Sequence, residues 1–124
     1  MIPVLDSTEA RVLGCLLEKE VLVPDTYPMT LKALVGACNQ ASSRDPVMSL
    51  TGEEVEAALE RLKLEHRLVR KVLPSHGSRS VKHRHVVPEV LTVDDAQRAV
   101  LTVLLLRGPQ SPQQLRTRTG RLHP

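Results

Sequence analysis

With 124 residues, the chain has room for one compact unit and part of another, but not for two domains of ordinary size. A net charge of +3 hides a division: residues 1–66 carry 6 Lys/Arg against 11 Asp/Glu and residues 67–124 carry 11 against 3, so basic character is a local property of the second half. The single aromatic, Tyr27, excludes stacking platforms for single-stranded nucleic acid, and the absence of a long apolar run or a signal-peptide pattern at Met1 to Glu9 predicts a cytoplasmic protein with no membrane partner.

Asp6-Ser7-Thr8-Glu9 sets a short capping side chain three residues ahead of Glu, the reciprocal start signal of a helix. The helix predicted from about Ser7 to Val21 buries Val12, Leu13, Leu16 and Leu17 and leaves Glu18, Lys19 and Glu20 at its wet end. After Tyr27-Pro28 a second helix starts at Thr30 and runs from about Leu31 to Asn39 on Leu31, Leu34, Val35 and Cys38. Cys15 and Cys38 lie in these apolar patterns without CxxC spacing, which predicts reduced, buried thiols rather than a disulfide or metal framework. The polar cluster Asn39 to Asp45 caps and braces the following loop, with anion binding by Arg44 as the minority reading.

Pro46 and an extended Val47-Met48-Ser49-Leu50 then lead to a third helix, Thr51 to His66, with Val55, Ala58, Leu59 and Leu62 inward. Its outward face carries Glu53, Glu56, Ala57, Glu60 and Leu64, a poor surface for a phosphate-dense partner, whereas Ala57 and Leu64 suit a modest protein contact. From Arg67 to Val87 there is no carboxylate, and Arg67, Arg70, Lys71, Arg79, Lys82 and Arg84 lie on two β-branched runs around Pro74-Ser75-His76-Gly77. This predicts a basic hairpin. Lys71, Arg79, Lys82 and Arg84 are its candidate phosphate contacts; the alternative is a charged hairpin that only blunts its own edges against strand pairing. His83 and His85 alternate on one strand, but no Cys, Asp or Glu joins them, so no metal and no cofactor are expected.

At Thr92-Val93-Asp94-Asp95 the pattern restarts with a helix on Ala96, Val100, Leu101, Val103, Leu104 and Leu105. Gly108-Pro109 stops it, and Ser111-Pro112-Gln113-Gln114 caps another. The order helix, helix, short strand, helix, strand, strand predicts an α+β winged-helix unit over residues 1–91, followed by the first two helices of a second winged-helix unit over residues 92–124.

Several strings together resemble the YceH family, bacterial proteins built from two tandem winged-helix units. They are Leu5 to Val12 with Leu16-Leu17-Glu18-Lys19, Tyr27 to Leu31, Ala37 to Gln40, Arg44 to Met48, Gly77 to Lys82, and Leu105 to Pro112 through Leu115 to Arg118. The chain departs at Ser43, where the family carries Asn, and at His83, where it carries an aromatic. The resemblance implies that the recognition helix and wing of the second unit lie outside this sequence.

Phosphate loops, HExxH and nucleophile-base sets are absent, so neither an enzyme nor a small-molecule substrate is expected. The leading expectation is a regulator-like module binding double-stranded DNA through its hairpin. The rival is a protein-interaction or homodimerisation module using Val12, Cys15, Ala57, Leu64 and Leu101. The apolar stripe of the fourth predicted helix needs cover, either from the chain's own first helix at Val12 and Cys15 or from a second copy, and the symmetric dimer is preferred.

Overall fold

The computed structural model describes residues 4–74 and 80–124. Helix α1 (Ser7–Leu22) is opened by the Asp6/Glu9 capping box, and a turn of 3-10 helix (Pro24–Thr26) leads to a short strand β1 (Met29–Thr30). Then come α2 (Leu31–Cys38), α3 (Gly52–Leu64), the hairpin strands β2 (Val69–Val72) and β3 (Lys82–His85), a one-turn helix α4 (Val87–Val90), α5 (Asp95–Arg107) and α6 (Pro112–Thr119). The fold is α+β, with a three-stranded antiparallel sheet in the order β1-β3-β2.

The short strand corrects the sequence reading. It lies at Met29–Thr30, ahead of α2, while Val47 to Leu50 forms no strand. The order is therefore helix, strand, helix, helix, strand, strand. Two residues suffice for β1 because β3 supplies the pairing, Met29 opposite His83 and Thr30 opposite Lys82. Residues 47–50 are held instead by Asn39, whose side-chain amide donates to the Leu50 carbonyl (2.9 Å) and accepts from the Leu50 N–H (2.7 Å).

One core joins α1, α2, α3 and the base of the hairpin: Val12, Leu13, Leu16, Leu17, Leu34, Cys38, Val55, Ala58, Leu59, Leu62, Leu68 and Val69 are buried, together with Leu106 of α5. Helix α5 thus lies along α1 within the same chain. Gly14 makes the close approach possible, since a Cβ built there would stand 2.8 Å from Leu106 Cδ2 and 3.1 Å from Leu105 Cβ. The buried face of α5 is Ala99, Thr102, Val103 and Leu106, rotated from the predicted stripe; Leu101 is half-buried and Leu104 and Ala96 are exposed. A smaller cluster of Ala99, Val103 and Leu122 with Leu115 seats α6 on α5. Capping also starts two residues later than predicted, with Asp94 as N-cap and Gln97 closing the box.

Charged groups are built into this core. Arg11, 1% exposed, donates to the carbonyls of Cys38 (2.9 Å), Pro46 and Leu106 (3.5 Å). Two of those carbonyls end α2 and α5, where helix dipoles favour a cation. Glu18, predicted at a wet helix end, is wholly buried.

Candidate nucleic-acid interface

Pleating divides the hairpin's charges between two faces. Cα partners across β2 and β3 are Val69 with His85, Arg70 with Arg84, Lys71 with His83 and Val72 with Lys82, and paired residues project to the same side. Val69, Lys71, His83 and His85 therefore share the inner face, where Val69, His83 and His85 are buried. Arg70, Val72, Lys82 and Arg84 share the outer one. Lys82 and Arg84 are thus neighbours, Lys71 is turned away from them, and Arg79 lies outside the described residues.

Lys71 faces a narrow groove between α3 and the sheet, lined also by Glu56, Leu59, Glu60, Lys63 and His83. Two carboxylates and two ammonium groups make that groove electrically mixed. Glu53, Glu56, Ala57, Glu60 and Leu64 all lie exposed on α3, as the helical spacing predicts. Burial, and to a lesser degree Lys71, push the His83 imidazole below its usual pKa, favouring its neutral form.

The outer face is more uniform. Arg70 and Arg84 stand directly opposite each other, both exposed, with Lys82 two positions from Arg84. Among the described residues only Arg70 has an anionic partner there, Glu89 of α4 at 2.7 Å. The hairpin is anchored from behind: His85 meets Glu20 Oε1 through Nε2 (2.7 Å), and its Nδ1 accepts from the Val87 N–H (3.2 Å). Accepting at Nδ1 leaves Nε2 as the protonated nitrogen that donates to Glu20. Burial lowers the His85 pKa despite that carboxylate, and the Tyr27 hydroxyl accepts from the His85 N–H (2.8 Å). Both histidines thus have structural places, and among the described residues no group of His, Cys, Asp and Glu has the arrangement of a metal site.

Arg44 is not free to bind an external anion. It is buried, its guanidinium grips Glu18 through NH1 (3.0 Å) and NH2 (2.7 Å), and its Nε donates to the Ala37 carbonyl (3.1 Å). Val12 and Cys15, expected at an interface, are wholly buried in the chain's own core. Leu101 lies half-buried in an apolar groove of about 260 Å³ with Leu5, Ala10, Leu13, Leu68, Leu91 and Leu105. Only Ala57 and Leu64, the latter 61% exposed, remain accessible among the five interface candidates. Another cleft, of about 290 Å³, lies between α1, α5 and the last residues. Its Glu20, Arg98 and Asp95 are engaged with one another, Arg98 to Asp95 at 2.8 Å and to Glu20 at 3.4 Å.

Arg70 is the outer-face residue that sequence reasoning left out of the contact set. Alternation within β3 already groups Lys82 with Arg84, but placing Arg70 beside them needs the cross-strand register, which turn length alone did not give.

A family model described as "Protein of unknown function, DUF480" matches residues 5–124. The chain belongs to the DUF480 family. It is similar to the UPF0502 protein of Shewanella amazonensis, 52% identical over 123 residues that cover 96% of this chain and 58% of that protein. A UPF0502 protein of Chromobacterium violaceum is 50% identical over 119 residues (96% and 53%), and one of Geobacter sulfurreducens is 48% identical over 120 residues (97% and 53%). These matches are consistent with the YceH-like resemblance. The DUF480 chain therefore spans little more than half the length of the curated relatives it matches. No helix among its described residues is long and apolar enough to cross a membrane.

Proposed function

We propose that this DUF480 chain is a winged-helix module that binds duplex DNA through phosphate contacts on the outer face of its hairpin, from Arg70, Lys82 and Arg84. The observation that carries the reading is the exposed Arg70–Arg84 cross-strand pair with Lys82 beside it. Like charges set directly opposite each other destabilise a ladder, and Glu89 offsets only one of them. A phosphate backbone relieves that repulsion. The order helix, strand, helix, helix, strand, strand, with the hairpin paired to β1, supports the winged-helix reading.

In this mode α3 does not enter the major groove, because Glu53, Glu56 and Glu60 would meet phosphates with repulsion. Contacts to phosphates position a protein on DNA without reading its sequence, so binding is weak and tolerant of sequence. Replacing Lys82 and Arg84 by Ala should flatten the log-log salt dependence of duplex affinity by about 1.8, at ~0.9 per phosphate contact. An unchanged slope would reject the outer face as the contact surface.

A second reading, a protein-interaction module without DNA binding, is favoured by one observation, the exposed Leu64 beside Ala57 on α3. Replacing Leu64 by Asp separates the two. Duplex affinity should hold, whereas a protein contact through α3 would be lost.

A further inference from the structure

Residues 96–124 contain five arginines and no Asp or Glu, and three of the five stand at or just past the C-terminal ends of α5 and α6. Arg107 closes α5, Arg118 sits in the last turn of α6, and Arg121 follows it. Arg121 reaches across to Glu18 Oε2 (2.7 Å), while Arg44 and Lys19 take up Glu18 Oε1 (2.7 and 3.2 Å). That buried carboxylate is saturated.

Among the described residues Arg118 donates only to the Gln110 side-chain carbonyl, and no carboxylate lies within ion-pair distance of Arg107 or Arg118. Burial together with the neighbouring charges of Arg118 and Arg121 holds the Arg107 guanidinium below its ordinary pKa, with exposed Asp45 as the weaker opposing charge. The bond to Gln110 thus holds Arg118 over the loop that follows Arg107, Arg121 is already paired with Glu18, and exposed Asp45 is the carboxylate that opposes their charge. Such a cluster is costly for the free protein and complementary to a multiply charged oxyanion, for which the guanidinium fork is the best-fitting donor.

We propose that Arg107 and Arg118, backed by Arg121, form a phosphate-binding site separate from the hairpin. Its ligand is a phosphate oxyanion, presented either by a nucleic-acid backbone or by a free diphosphate. Only the first source rests on the duplex-binding reading above.

Two titrations of the intact chain decide, one with sodium pyrophosphate and one with a short mixed-sequence duplex at several salt concentrations. Arg107→Gln with Arg118→Gln should weaken pyrophosphate binding by about tenfold or more, flatten the duplex salt slope by about 1.8, or do both. Arg116→Gln, on the exposed side of α6, should do much less, with thermal melts confirming that each variant folds. A change in the duplex slope assigns the site to a nucleic-acid backbone. A change with pyrophosphate alone assigns it to a free phosphate compound. If neither titration responds, or if Arg116→Gln matches the double variant, the site is overturned and only net charge is at work. A chain that binds no duplex at all refutes the hairpin reading, and the pyrophosphate titration then decides this one alone.

Discussion

At the scale of single residues, Glu18 is the group on which most of the buried charge turns. It is wholly buried, yet hydrogen bonds from Arg44 and Arg121 outweigh desolvation and bring its pKa down to about 2 from 4.5. A carboxyl whose folded pKa is depressed adds stability above its unfolded pKa and loses it as pH falls. Glu18 should therefore contribute on the order of 3 kcal/mol at neutral pH, lost between about pH 4.5 and 2. His83 and His85, held neutral by burial, act in a higher window: stability should already begin to fall as pH drops below 6.5. Urea unfolding of the wild type and Glu18→Gln from pH 7 to 3 checks both, since the variant should keep the upper fall and lose most of the lower one. Arg44→Ala, which strands Glu18 in the core, should cost roughly 3–5 kcal/mol.

Ser43 has φ 58°, in the left-handed region. Glycine adopts it without strain and Asn tolerates it better than Ser. Ser43→Gly should raise stability by up to about 1 kcal/mol by equilibrium unfolding; a loss would mean that the Ser43 side chain has a role of its own. The bracing of the loop by Asn39 and Arg44 was legible in sequence; the ion pairs of Glu18 were not. Glu18-Lys19-Glu20 reads as a solvated end because the partners of Glu18 lie 26 and 103 positions away, and local spacing carries no information about contacts at that range.

Secondary-structure elements were legible where local chemistry fixes them. The capping boxes at Asp6, Thr51 and Ser111 form as their spacing requires, and Val55, Ala58, Leu59 and Leu62 are the buried residues of α3. β1 was missed because two residues carry no periodicity and pair only when β3 arrives. The face of α5 was misread because Leu104, Leu105 and Leu106 are equally apolar, so hydrophobicity alone cannot fix the rotation of the helix. What fixes it is Gly14, which admits Leu106 against the α1 backbone. Gly14→Ala would gain about 1 kcal/mol of helix propensity but must displace Leu106 Cγ, 2.9 Å from the new methyl, and Leu105. Overpacking of this kind costs roughly 1–3 kcal/mol, so the variant should be less stable in denaturant, and the same substitution made in a Leu106→Ala background should cost less. A more stable Gly14→Ala would show that α5 is not held closely on α1.

For the whole molecule, the division of charge between the two halves is plain in the order of residues, but its arrangement in space is not. Alternation of basic and apolar residues puts Lys71, Lys82 and Arg84 on one hairpin, and only the register separates Lys71 from the outward pair and brings Arg70 beside Arg84. The apolar stripe that suggested a symmetric dimer is largely covered within the chain, where α5 packs along α1 and leaves Leu104 exposed. That removes the reason for a dimer drawn from α5. What matters most for function is whether duplex DNA meets the outer hairpin face while α3 stays away from it. Amide and arginine side-chain chemical shifts, followed by NMR during a duplex titration at low salt, separate the two surfaces residue by residue. Arg70, Lys82 and Arg84 should move with added duplex, and Glu53, Glu56 and Glu60 should not; shifts concentrated along α3, with the hairpin unmoved, would contradict the wing-led mode.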